Sequence, residues 1–188
     1  SKSKIPMVKF LGIFSISLRF IFLVSSVVPS FSLFSEITES KIIHRYQVRV
    51  RVLGFWSSLL SKEAKRSIEE VIKATAEHER GTLNFLIAYD GITEMLRAIQ
   101  AVVEKTKKDT SLIVTREVVK GRLLTKDLPP VDLLIRTGGE PHLSAGFMMW
   151  DIADAQMIFL KKLWPDFLPE DLGRAVTDFW ARERRFGA

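Results

Sequence analysis

The chain has 188 residues, of which 47% are hydrophobic and 27% charged, and a formal net charge of +6. That balance excludes a disordered chain and is enough for one domain with a sizeable core. The absence of cysteine excludes disulfides and thiol chemistry, and the basic charge favours an anionic partner: a phosphate-bearing substrate, a membrane surface or nucleic acid.

From Phe10 to Val28 the chain is apolar apart from serines and Arg19, with Lys2, Lys4 and Lys9 ahead of it. Three readings compete for residues 1–34. A signal peptide lacks its small-residue cleavage site. A membrane span has the length, but Arg19 near its centre costs about 3 kcal/mol. A buried strand followed by an apolar helix avoids that cost and is the expectation. Pro29 then breaks the pattern, and Ser35 to Ser40 is polar.

Gln47 to Leu53 alternates with period two, which predicts a strand with Val48, Val50 and Val52 on one face. Ser61 to Arg80 predicts an amphipathic helix capped by Ser61, with Ala64, Ile68, Val71, Ile72 and Thr75 on one side. Thr82 to Tyr89 is apolar on both faces, as in a parallel strand covered by helices. A helix from Ile92 to Lys105 is expected to turn Met95, Leu96, Ile99 and Val102 inward, and a short helix lies over Val114 to Val119. Strands alternating with helices predict a parallel α/β sheet.

Val131 to Ile135 then reads as a buried strand that delivers Arg136, Thr137, Gly138, Gly139 and Glu140 into a loop. Ligands in α/β sheets sit beyond the carboxyl ends of strands. A guanidinium fork matches phosphate oxygens, and paired glycines let backbone amides approach an anion. Asp151 to Gln156 reads as a helix start, with Asp151 and Asp154 as caps or dipole partners. Met157 to Leu160 is a last strand. Pro169 to Trp180 is a final helix with Leu172, Ala175, Val176 and Phe179 inward, and the tail from Arg182 to Gly187 is basic. His44 and His78 lie in polar helical context and carry no assignment. The aromatic residues fall on apolar faces rather than alternating with basic ones, which argues against nucleic acid.

The ordered set IRTGGE, HLS, a tryptophan at 150, WPDF and RERRFG resembles the cis-prenyltransferases, the undecaprenyl and polyprenyl diphosphate synthases. The likeness is best over residues 47–188 of a single domain spanning 1–188, and a weaker match continues to Phe14-Ser15. It implies a parallel sheet of about six strands wrapped by helices, and a homodimer or a heterodimer with a related subunit. It also implies Mg²⁺-dependent condensation of isopentenyl diphosphate with an allylic diphosphate. By resemblance, Arg136, Gly138, Gly139, His142 and Ser144 bind isopentenyl diphosphate. Ser15 and Ser17 fall in the allylic FSxEN-like segment, Gln156 stands at the position of the metal-ligating Glu, and Arg185 and Gly187 form the RxG motif that reaches the neighbouring subunit.

Several positions depart from the family pattern. The N-terminal DGNRR-like diphosphate loop has no counterpart in these residues, and Gln156 and His142 replace a Glu and an Arg. Asp90-Gly91-Ile92 replaces GGR, and Ala145-Gly146 adds a residue to the loop. Each departure but the last removes charge from the diphosphate and metal pocket. Three functions follow: a polyprenyl diphosphate synthase with weak activity alone, a non-catalytic partner subunit of such an enzyme, or a lipid-binding module acting through residues 1–34. The expected location is cytoplasmic, with a peripheral membrane contact.

Overall fold

The computed structural model describes residues 21–23 and 31–182. Most of the expected N-terminal strand and helix, and all of Ser15, Ser17, Arg185 and Gly187, lie outside them. Within the described residues, β1 (Ile21–Leu23) is followed by α1 (Phe31–Thr38), α2 (Lys41–Arg45), β2 (Val48–Leu53) and α3 (Trp56–Leu59). Next come α4 (Lys62–Ala74), β3 (Gly81–Leu86), α5 (Gly91–Lys108) and α6 (Arg116–Lys120). The chain ends in β4 (Leu133–Arg136), β5 (Gln156–Phe159), a 3₁₀ turn (Trp164–Asp166) and α7 (Pro169–Ala181).

All strand pairs are parallel, as the alternation of strands and helices predicts. The order is β1-β3-β2 in one group and β4-β5 in the other, so the described residues hold five strands rather than about six. One apolar cluster joins the groups: Leu86 and Tyr89 at the end of β3 pack with Val131, Leu134 and Met148. A second fills the space between β2, β3 and the helices, with Leu33, Phe34 and Ile37 of α1 meeting Ile68 and Val71 of α4 and Val48, Val50 and Phe85 of the sheet. The polar-looking stretch after Pro29 thus hides an amphipathic helix.

The alternation of β2 buries Val48, Val50 and Val52, as its pattern dictates. The apolar face of α4 is also as expected, but the helix stops at Ala74 instead of Arg80. Thr75 explains the stop. Its buried hydroxyl donates to the Val71 carbonyl at 2.8 Å and accepts from the Val50 amide at 3.0 Å. The next residues continue along the outer edge of β2: His78 reaches the Val48 carbonyl and the Arg80 amide reaches Gln47 O. An open strand edge invites mispairing, and this segment occupies part of it.

Helix α5 differs in phase from its sequence reading. Gly91, Glu94, Ala98 and Val102 face inward, whereas Ile92, Leu96, Ile99 and Val103 are exposed. The polar anchor decides it. Glu94 is buried, accepting from Tyr89 Oη and from the Thr125 amide at 3.1 Å. Burial first, and the Glu94 carboxylate second, push the Tyr89 phenol above its ordinary range. The short helix over 114–119 forms at Arg116–Lys120, capped by Thr115. In α7 the four expected inward residues are all buried.

Candidate functional site

The carboxyl ends of β2, β3 and β4 carry all but one of the conformationally demanding positions among the described residues, the exception being Gln47 at φ 52 just before β2. Gly54 closes β2 with φ +113, and a Cβ there would lie 2.1 Å from the Ile87 carbonyl oxygen. Ala88 follows β3 at φ 50, a region costly for residues with a side chain. After β4, Gly138 and Gly139 take φ +101 and +78, which L side chains rarely adopt. Four of the five positive-φ positions among the described residues thus lie where α/β proteins place ligands.

Arg136 is the last residue of β4. Its side chain is only 12% accessible. One guanidinium nitrogen donates to the His142 carbonyl and the other to the Glu140 carboxylate, and the group lies 5.4 Å from the centroid of the Phe147 ring. The fork is thus held in place by its own loop. Glu140 is 61% exposed, so an incoming anion meets a carboxylate already seated on the guanidinium.

The glycines act differently from their sequence reading. Their amides do not point at an open anion site: Gly138 N–H donates to Lys162 O at 2.7 Å and Gly139 N–H to Leu160 O at 2.9 Å. They fold the loop back onto the end of β5 and so aim Arg136. His142 is exposed, with Nε2 3.7 Å from Glu140 Oε2. Ser144 is half-buried, and its carbonyl accepts from the Phe147 amide. Arg136, Glu140, His142 and Ser144 thus share one loop.

Gly91, noted in the sequence only as part of the Asp90-Gly91-Ile92 departure from GGR, supports that loop. Its amide donates to the Ala145 carbonyl at 2.6 Å, and a Cβ on it would lie 2.1 Å from Phe147 O. The signal in the sequence was a glycine at the first position of a long helix, after Asp90, whose side chain caps the Thr93 amide.

Asp151 to Gln156 forms turns rather than a helix start. The Val131 amide donates to Asp151 O and the Gln156 amide to Asp132 O, which draws Gln156 into β5 as its first residue. Asp151 caps no helix; its buried carboxylate pairs with Lys120. Gln156 Oε1 is buried without a hydrogen-bond partner. One neutral oxygen does not fit a Mg²⁺ site, since this hard cation favours carboxylate and phosphate oxygens. No group of three or more acidic or imidazole side chains converges among the described residues. The anion chemistry available to the loop rests on guanidinium and hydroxyl donors.

Residues 23–187 match the prenyltransferase family model for undecaprenyl diphosphate synthase. Ser15 and Ser17 precede the matched residues. An isoprenyl transferase of Thermotoga maritima is 38% identical over 149 residues, 79% of this chain and 63% of its own length. A geranylgeranyl-diphosphate-specific tritrans,polycis-undecaprenyl-diphosphate synthase of Methanocaldococcus jannaschii is 35% identical over 158 residues, 82% of this chain and 56% of its own. The chain thus spans less than two thirds of the length of these relatives. Among solved structures, a probable undecaprenyl diphosphate synthase from Campylobacter jejuni superposes with a TM-score of 0.69 at 27% identity, covering 84% of this chain and 70% of that one. Lavandulyl diphosphate synthase from Lavandula x intermedia reaches 0.73 at 22% identity with the same coverage, a likeness of fold.

Proposed function

Because this chain belongs to the undecaprenyl diphosphate synthase family of prenyltransferases, we propose that its β4 loop binds the diphosphate of isopentenyl diphosphate in cis-polyprenyl chain synthesis. The observation that carries this reading is the Arg136 guanidinium, pre-shaped at the carboxyl end of a parallel strand and held by the His142 carbonyl, the Glu140 carboxylate and the Phe147 ring. A fork fixed before binding loses little rotamer freedom when a diphosphate replaces the carboxylate. Ser144 supplies a hydroxyl donor and His142 an imidazole at the same mouth. Electrostatic stabilisation of diphosphate charge is the chemistry such donors perform.

Mg²⁺, the allylic diphosphate and the RxG contact of Arg185 and Gly187 enter this reading through the family. The neutral amide of Gln156, whose Oε1 is buried without a partner, leads us to expect weak condensation by this chain alone. Incubation of the purified chain with isopentenyl and allylic diphosphates plus Mg²⁺ tests that expectation, and robust elongation would overturn it.

A second reading, a non-catalytic subunit that partners an active synthase, is favoured by two observations. The metal position holds an amide, and α5 exposes the apolar stripe Ile92, Leu96, Ile99 and Val103, the kind of surface subunits cover. Mixing with an active homologue should raise that enzyme's activity, and Arg185→Ala should cancel the rise. No change in either mixture removes the partner reading. The lipid-binding reading rests on residues 1–34. No helix among the described residues is long and apolar enough to cross a membrane. Liposome flotation with and without residues 1–34 separates this reading from the others.

A further inference from the structure

His44 and His78 are 34 residues apart in sequence yet meet through their ring nitrogens, His44 Nδ1 and His78 Nε2 lying 3.3 Å apart. The other nitrogen of each ring is already committed. His44 Nε2 is 2.8 Å from the Thr38 carbonyl oxygen, and His78 Nδ1 is 2.9 Å from that of Val48. A carbonyl only accepts, so both outer nitrogens carry the hydrogen. In the neutral rings the two facing nitrogens then both carry lone pairs. Two acceptors in contact, one on a ring only 8% exposed, call for an electrophile between them.

We propose that this pair is a binding site for a borderline transition-metal ion, with Zn²⁺ as the fitting example. Two observations point to a metal. The first is the bite: two imidazole nitrogens at about 2.0–2.1 Å from one tetrahedral zinc stand about 3.3–3.4 Å apart, which matches the measured separation. The second is the outer shell. Metal-ligating histidines almost always donate their remaining N–H to a carbonyl or carboxylate, which fixes tautomer and ring orientation, and both rings do so here. The rings are nearly perpendicular, at 86°, so the contact is not a stack.

No third imidazole or acidic side chain joins the pair among the described residues. Water therefore completes the coordination, entering past the half-buried His44. The exposed charges on the flanking positions are Glu39, Lys41, Arg45, Glu77, Glu79 and Arg80. A metal bound here would tie α2 to the segment that covers the edge of β2, and would stabilise the folded chain by binding it alone.

The test uses the full chain, stripped by chelator, titrated with Zn²⁺ near pH 7.5 and followed by calorimetry and imidazole ¹⁵N NMR. We expect uptake of one equivalent, a rise in unfolding temperature, and shifts at His44 Nδ1 and His78 Nε2. Affinity should fall roughly tenfold or more near pH 6, because ligand nitrogens must be unprotonated. His44→Gln and His78→Asn keep an amide N–H where each outer nitrogen donates but remove the ligand. Each should weaken uptake at least tenfold while its unfolding temperature in chelator stays close to that of the parent. Absence of saturable uptake, shifts confined to His142, or a third proton shared by the pair at neutral pH in place of metal would each overturn the proposal.

Discussion

Gly91 at the start of α5 touches the Phe147 backbone so closely that no side chain fits between them, a Cβ lying 2.1 Å from the carbonyl oxygen. This contact locks the loop carrying Arg136 to the helix after β3. Gly91→Ala must move one of two backbones, and we expect a loss of about 2 kcal/mol or more, read as a lower midpoint in urea unfolding. Diphosphate affinity should fall with it, because Phe147 also backs the Arg136 guanidinium.

Gly173, in α7, is the opposite case. It lies within the helix with nothing inside 4 Å of a would-be Cβ. Gly173→Ala should stabilise the chain by about 0.5–1 kcal/mol through helix propensity and a less flexible unfolded chain. The same unfolding measurement checks it, and a loss of stability would contradict the open space.

Glu140 competes with an anion for Arg136. Glu140→Gln should raise affinity for inorganic pyrophosphate severalfold at low salt, measured by calorimetry. Arg136→Ala should lower it by about tenfold or more, given about 1.5–3 kcal/mol for a hydrogen bond to a charged group. Arg136→Lys should recover only part, since a lysine keeps charge but loses the fork. Equal affinities across the three variants would remove Arg136 from the anion site.

Lys120 and Asp151 are 31 residues apart in sequence and pair beneath the loop, the aspartate side chain 1% exposed. Lys120→Met strands a buried carboxylate and should cost about 3 kcal/mol or more. Adding Asp151→Asn should return part of that loss, an interaction visible in a double-mutant cycle.

Asp171, at the start of α7, accepts from Lys162 Nζ at 2.8 and 2.9 Å, from the Leu168 amide and from Arg174. The Lys162 ammonium foremost, then the amide, hold its carboxyl down to about 2. The folded value lies below the unfolded one, so the stabilisation is present above about pH 4 and is lost as pH falls toward 2. In acid titrations followed by circular dichroism, Asp171→Asn should be less stable than the parent at neutral pH, with the difference closing over that window.

The sequence made the local patterns legible. Period two in Val48, Val50 and Val52, helical spacing in Leu172, Ala175, Val176 and Phe179, and the run ending in Arg136-Thr137-Gly138-Gly139 all describe neighbours along the chain, and the structure keeps them. The α5 face was misread because Leu96 and Ile99 fit a helical stripe, whereas the phase is fixed by a buried Glu94 whose donors, Tyr89 and Thr125, the pattern does not mark. The helix start at Asp151 was misread because its carboxylate is taken by Lys120, far away in sequence.

The sequence by itself determined the parallel α/β architecture, the family and the place of Arg136 at a strand end, because hydrophobic period and motif order are properties of adjacent residues. Only the tertiary structure decided that Glu140 occupies the guanidinium, that the amides of Gly138 and Gly139 serve the backbone of β5's exit, and that His44 meets His78. Those outcomes depend on which donors and acceptors the folded chain brings within about 3 Å of each other. Period and propensity carry no information about that pairing.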